Sequence, residues 1–345
     1  MFILGIESSC DETAASVIER GERNRVLSAT IKSQIPLHAK YGGVVPEIAS
    51  RSHYEVIDTL VDEALRTARL TINDLDLMAV TQGPGLIGSL LIGLSFAKGL
   101  AFRHNIPIVP VDHIEAHLES PFITNQDIQY PLLALVVSGG HTTLFYRENK
   151  FEGRIVAKTR DDAAGEVMDK VAKYFDLGYP GGPILDKLFS KGDPGIFPFT
   201  IPKMSDGSDD FSFSGYKTAV IRHAQVNNIE KETQPFYDLI SSFQNAVVDY
   251  LLKKTIRYAD ELKPKSILIA GGVSRNTLLR KKFSETFSSE DTKFYMAEPE
   301  FCTDNATMIA WLGYEKYMKF RDANYSDPYL NSYSRAQFKK PKRHR

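Results

Sequence analysis

The chain has 345 residues, 43% hydrophobic and 25% charged, with a formal net charge of −1. At about 150 residues per domain this predicts two domains, or one large one with two lobes, and disordered and fibrous classes are excluded. No apolar run reaches the ~18 residues of a membrane span, the first residues lack the basic head of a signal peptide, and Cys10 and Cys302 are too few for a disulfide framework; the expectation is a reduced, cytoplasmic protein.

Two short strand-like runs open the chain, Ile3–Ser8 and Thr13–Glu19, joined by the polar turn Ser8-Ser9-Cys10-Asp11-Glu12. Leu77–Gln82 reads as a strand ending at Gly83-Pro84-Gly85, with an apolar helix from about Gly88 to His104 and a further strand over Ile106–Val111. Near the middle the hairpin design returns: Pro131–Val137 runs out, Ser138-Gly139-Gly140-His141-Thr142 turns, and Thr143–Arg147 runs back. Asp161–Phe175 has the apolar spacing of an amphipathic helix and stops before Gly178-Tyr179-Pro180-Gly181-Gly182-Pro183. Residues 193–215, rich in Pro, Gly, Ser and Asp, read as an insertion loop. Helices follow over Phe236–Glu261 and Asn305–Phe320, the second with Asp304 or Thr303 as its expected N-cap. Between them Ser266–Ala270 is a strand ending at Gly271-Gly272-Val273-Ser274, with a helix starting near Asn276. One hairpin and one strand–glycine turn–helix unit in each half predict a duplicated α/β fold with a cleft between its lobes. Ligands bind at the carboxyl ends of the strands in such sheets, where these turns lie.

The sharpest local motif is His113-Ile114-Glu115-Ala116-His117. Residues four apart share one helix face, so both imidazoles can reach one ion. The acid stands one place later than in the zinc-protease pattern, which removes that mechanism's base. Asp304 is a candidate third ligand, its plain alternative being a helix cap; two His and one carboxylate leave positions open for substrate. Gly83-Pro84-Gly85-Leu86-Ile87-Gly88 matches a dinucleotide fingerprint, yet its place in the chain favours close helix–strand packing. Ser214-Gly215-Tyr216-Lys217-Thr218 is no P-loop, since Gly and Lys are not adjacent. The Ser138-Gly139-Gly140 and Gly271-Gly272 turns can bring backbone N–H groups close to a phosphate, or serve only as tight turns. Asp169 and Asp186 lie beside such turns, as ligands or as solvated acids. Asp11, at the first hairpin tip, is a candidate base or merely an Asx turn.

The last eleven residues hold Arg335, Lys339, Lys340, Lys342, Arg343 and Arg345 with no acid. Such a tail is either a solvated end or an arm for nucleic-acid phosphates.

Together, His38–Glu47, Gly83–Ser89, His113/His117, Val137–Thr142, Gly178–Pro183, Phe211-Ser212-Phe213-Ser214-Gly215, Gly271–Ser274 and Cys302-Thr303-Asp304-Asn305 resemble the bacterial TsaD family of tRNA adenosine threonylcarbamoyltransferases, once called glycoproteases. The resemblance runs from about residue 3 to 318. It implies the α/β, two-lobed, ribonuclease-H-like fold of actin, sugar kinases and heat-shock chaperones, with a central cleft. The expected lobes are 1–128 and 129–325, with an insertion at about 193–235, a basic tail over 326–345, and a last helix (about 305–322) that can pack back on the first lobe. The implied reaction moves threonylcarbamoyl from threonylcarbamoyl-AMP to N6 of the adenosine 3′ of the anticodon, in tRNAs reading codons that start with A. By the same resemblance His113, His117 and Asp304 are the ligands of one divalent metal per chain, iron by family usage and zinc as the alternative. Val136, Val137, Ser138, Gly139, Gly140, Asp169, Gly182, Asp186 and Asn276 form the donor-binding set, with Asp11 the candidate catalytic base. The implied partners are tRNA, an inactive paralogue of TsaB type and a small ATPase of TsaE type. A kinase or ATPase of the same fold, a metalloprotease and a non-catalytic scaffold are the other readings.

Overall fold

The computed structural model describes every residue except 201–203, 205, 206, 288–291, 322, 324, 326, 328 and 336–345. The chain divides into two units: Met1–Ile123 with the described residues from Thr303 on, and Thr124–Cys302.

The first unit begins with β1 (Phe2–Glu7), β2 (Glu12–Glu19) and β3 (Arg25–Ser33), then α1 (Ile35–Ala39) and α2 (Pro46–Ala68). It continues with β4 (Leu77–Gly83), α3 (Ile87–His104), β5 (Ile108–Asp112) and α4 (His113–Glu119). In the second unit β6 (Leu132–Val137), β7 (Thr142–Arg147) and β8 (Gly153–Lys158) precede α5 (Ala164–Tyr174), α6 (Gly181–Leu188), α7 (Ser214–Val226) and α8 (Gln234–Leu262). Then come β9 (Ser266–Ala270), α9 (Thr277–Thr286), β10 (Lys293–Met296) and α10 (Pro299–Cys302). The chain returns to the first unit through α11 (Ala306–Lys319).

The sheet orders are β3-β2-β1-β4-β5 and β8-β7-β6-β9-β10. In each, three strands form an antiparallel meander and two more add in parallel beside the first. The repeat seen weakly in the sequence is therefore a full duplication of topology. Central strands such as β6 (LLALVV) are buried along their whole length, with a strand on either side and helices packed against the sheet.

Alternation along β1 splits the first unit's core. Leu4 and Ile6 join Val61 of α2 and Leu94 of α3, while Ile3 faces Met308, Ile309 and Trp311 of α11. In the second unit a single large cluster joins Leu133, Leu135 and Val137 of β6 to Val167 and Val171 of α5 and to Phe243 and Val247 of α8.

The structure adds six elements the periodicity did not reveal: β3, α1, α2, β8, β10 and α10. Strand β3 is an edge strand with most residues at least partly exposed, so its apolar signal is diluted. The cap of α11 also differs from the expectation. Asn305, rather than Asp304 or Thr303, accepts the N–H of Met308, which leaves the Asp304 carboxylate available for other work. Within the expected insertion, the described residues from Gly192 to Phe213 form no helix, and only a bridge from Phe211 to Thr159.

Candidate metal and donor sites

Helix α4 starts where β5 ends, and Asp112 makes the junction: its Oδ1 accepts the N–H groups of Ile114 and Glu115 at 2.9 and 3.0 Å. The i,i+4 spacing then sets the His113 and His117 rings edge to face, centroids 4.6 Å apart. Asp304, just before α11, brings Oδ1 to 3.0 Å from Nε2 of His117 and 3.4 Å from Nε2 of His113. The three side chains offer ligand atoms all within 4.8 Å of one another. Ligand atoms about 2.1 Å from a tetrahedral ion lie about 3.4 Å apart, so this donor set fits a divalent metal.

Behind it sits a second carboxylate. Glu7 is fully buried; it accepts hydrogen bonds from the backbone N–H of Ser9 and, at 2.6 Å, from Thr81 Oγ1, and its Oε2 lies 3.0 Å from His113 Nδ1. Burial works to raise the Glu7 carboxyl, but the His113 charge and hydrogen bond outweigh it and hold the group ionised. Burial works to lower His113, and Asp304 and Glu7 together push it well above the usual imidazole range. A carboxylate on the far ring nitrogen fixes the tautomer that points Nε2 at an ion. His117 has no such helper: its Nδ1 is buried with no hydrogen-bond partner among the described residues.

At the tip of the β1–β2 hairpin, burial and the Asp304 charge raise Asp11 above the ordinary carboxylate range. Burial, Asp304 and Asp11 push its neighbour Glu12 up to about 10. Glu12 is not among the residues expected at the site, and its place beside Asp11 in the polar turn is its one mark in the sequence. The turn is pinned by His53, which meets Thr13 Oγ1 at 2.7 Å and the Cys10 carbonyl at 3.0 Å. Glu115, the displaced acid of the histidine motif, is ion-paired to Lys316 at 2.8 Å.

The match to a dinucleotide fingerprint resolves as packing. A Cβ on Gly85 would lie 2.4 Å from the Ser9 carbonyl, and one on Gly88 2.5 Å from Ser50 Oγ. The protein's own atoms fill the space a pyrophosphate would need.

In the second unit the residues of the expected donor set lie on segments that touch one another. Val136 and Val137 are buried in β6, and the exposed residues begin in the turn after them, at Gly139 and Gly140. The turn after them meets α5, where a Cβ on Gly165 would stand 2.7 Å from the Ser138 carbonyl. Asp169 of α5 accepts the N–H of Gly181 at 2.7 Å, next to Gly182 at the start of α6. Asp186 of α6 accepts the Thr277 N–H at 3.1 Å and its hydroxyl at 2.9 Å, at the first residue of α9. Asn276 caps α9 through Oδ1, and its Nδ2 is buried with no partner among the described residues. Gly271 closes the circle: its φ is +89° and a Cβ there would lie 2.4 Å from the Val137 carbonyl. Within the Gly271-Gly272 turn, Gly271 is thus a position that needs its lack of a side chain. Around Gly139 and Gly140 the space a Cβ would take is open.

Duplicated ribonuclease-H-like α/β proteins are the class this topology defines. Solved structures of that fold include HypF of T. kodakarensis, with a TM-score of 0.61 at 13% identity over 92% of this chain and 48% of that one. Another is component A of the (R)-2-hydroxyglutaryl-CoA dehydratase of Acidaminococcus fermentans, TM-score 0.54 at 13% identity, over 92% of this chain and 99% of that one. These likenesses concern the fold alone. The family is fixed by sequence: the model of TsaD, tRNA N6-adenosine threonylcarbamoyltransferase, matches residues 25–311, and the chain belongs to that family. A tRNA N6-adenosine threonylcarbamoyltransferase of Caldicellulosiruptor saccharolyticus is 46% identical over 98% of this chain and 100% of that protein. One of Fusobacterium nucleatum is 48% identical over 92% of this chain and 91% of that protein. No helix among the described residues is long and apolar enough to cross a membrane.

Proposed function

We propose that this tRNA-modifying transferase moves threonylcarbamoyl from threonylcarbamoyl-AMP to N6 of the adenosine 3′ of the anticodon, in tRNAs reading codons that start with A. The observation that carries the reading is the convergence of His113, His117 and Asp304, in a chain of this family, on one point. These three would hold the metal, iron by family usage and zinc as the alternative, with Glu7 ordering His113 from behind. When bound, a divalent ion with open positions supplies Lewis-acid polarisation of a carbonyl oxygen.

The rest of the chemistry belongs to side chains and backbone. The adenylate of the donor is assigned to the turns of the second unit, where the buried Asn276 Nδ2 offers a hydrogen bond and Gly139 and Gly140 leave room for a ligand against their backbone. Donors placed there stabilise charge on the departing phosphate. Asp169, Gly182 and Asp186 frame that place, the two acids holding the starts of α6 and α9. An exocyclic adenine amine is a poor nucleophile and must lose a proton as it attacks. Asp11, its carboxyl raised by burial and by Asp304, is the assigned acceptor. The anticodon loop is single-stranded, so its target base can be presented unstacked. Phosphate contacts are assigned to Lys217 and Arg222 on α7 and to the basic tail, whose residues from 336 on lie outside the described residues. The partners proposed are an inactive paralogue of TsaB type and a small ATPase of TsaE type, acting in the cytoplasm.

The test is reconstitution: the full chain and both partners with threonylcarbamoyl-AMP and unmodified tRNA, followed by mass analysis of nucleosides. Threonylcarbamoyladenosine should form, and Asp11→Asn should slow it about 100-fold, the low end for a general base. A complete mixture that leaves the adenosine unmodified would sink the proposal.

A further inference from the structure

The end of the described chain lies against the rest of the first unit. The Tyr325 carbonyl accepts the N–H of Ile108, at the start of β5, at 2.8 Å. Further on, Lys98 of α3 donates to the Leu330 carbonyl at 3.1 Å, and Leu330 packs on the core that α2 and α3 share with the sheet. Gln82, near the end of β4, then takes the strap from both sides. Its side chain donates to the Asn331 carbonyl at 2.7 Å, and its own carbonyl accepts the Tyr333 N–H at 3.2 Å. A Cβ on Gly83 would lie 2.1 Å from the Tyr333 carbonyl, so glycine there is what admits the strap. The last tie is the shortest: Tyr333 Oη donates to Asp112 Oδ2 at 2.5 Å.

Asp112 therefore does two jobs with two oxygens. Oδ1 caps α4, and Oδ2 is held by the strap. Helix α4 has only seven residues, too few to be stable by itself, so its orientation is set by its cap and its packing. Both imidazoles of the candidate metal site ride on it.

We propose that Tyr333 is a positioning residue for the metal centre: through Asp112 it fixes the start of α4, and so the direction in which His113 and His117 meet Asp304. This rests on the reading of those three residues as metal ligands. Loss of an outer-shell partner typically weakens metal binding about 10- to 100-fold. Since Tyr333 acts through one intervening residue, the lower end is expected.

The experiment titrates cobalt(II) into the metal-stripped full chain and follows its visible ligand-field absorption, which reports both affinity and geometry. Tyr333→Phe should weaken cobalt about tenfold and change the band shape while the melting temperature stays within a few degrees. Tyr329→Phe, at a side chain exposed to solvent, serves as the control. Asp112→Asn retains a good cap and replaces the acceptor of the tyrosine hydroxyl, so it should reproduce the spectral change. The double variant should be no weaker than the weaker single, because the two residues act as one unit. Wild-type affinity and spectrum in Tyr333→Phe, or additive losses in the double variant, would overturn the proposal and leave the metal reading intact. A wild-type chain that binds no cobalt would overturn both.

Discussion

The two units share one sheet topology and differ in what they place at the strand ends. After β1 the first unit turns through Ser8, Cys10, Asp11 and Glu12; after β6 the second turns through Ser138, Gly139 and Gly140. After β5 the first unit runs straight into a histidine helix, whereas in the second β9 is followed by a glycine of positive φ and the Asn276 cap. The carboxylate-rich turn crowds acids that burial and mutual repulsion keep from ionising, and a nearby cation would favour their charged forms. The glycine turns gather exposed amides and one unpartnered side-chain donor, which suit an anion. On the function proposed, a duplicated scaffold serves two opposite electrostatic tasks, and the difference lies in a few residues at equivalent strand ends.

The largest expected effect separates the two histidines, which look equivalent by spacing alone. His113 is the charged partner of the buried Glu7, whereas His117 is not. In metal-free protein His113→Ala should cost about 3 kcal/mol, the low end for breaking a buried ion pair. His117→Ala should cost clearly less, although each should abolish stoichiometric metal binding. Urea melts of both variants after chelation check the order. Equal losses would mean that Glu7 does not pair with His113 in solution.

A smaller effect should separate the glycines of the second unit. Gly271→Ala forces a side chain into positive φ against the Val137 carbonyl and should destabilise by about 2 kcal/mol. Gly140→Val enters open space, so thermal melts should match the wild type while titration shows weaker donor binding. A Gly140→Val protein that melts early and binds the donor normally would make that turn structural and move the donor elsewhere.

Much of this was legible in the sequence. The expected helices Asp161–Phe175 and Phe236–Glu261 are seen over Ala164–Tyr174 and Gln234–Leu262, because their apolar spacing is set by burial on one face. The histidine pair was readable because four residues make one turn. What periodicity could not supply was anything set by contact across long separations. Glu7 lies 106 residues from His113, and nothing near either marks the pairing. Strand β3 escaped because a half-solvated edge strand carries a mixed pattern. Asn305, not its neighbours, caps α11, a choice made by local backbone geometry that composition does not encode. Tyr333 fell in a segment read only for its charge, and its hydroxyl matters through a carboxylate 221 residues away.

The central claim is that metal and nucleotide are held by different units of the duplication. The most direct test is calorimetric titration of AMP into the metal-free His117→Ala protein and, separately, into Asn276→Ala. The account predicts wild-type AMP affinity in the first and affinity about tenfold weaker in the second, about the worth of one well-made buried hydrogen bond. Loss of AMP binding in His117→Ala with its melting unchanged, together with full binding in Asn276→Ala, would contradict the division.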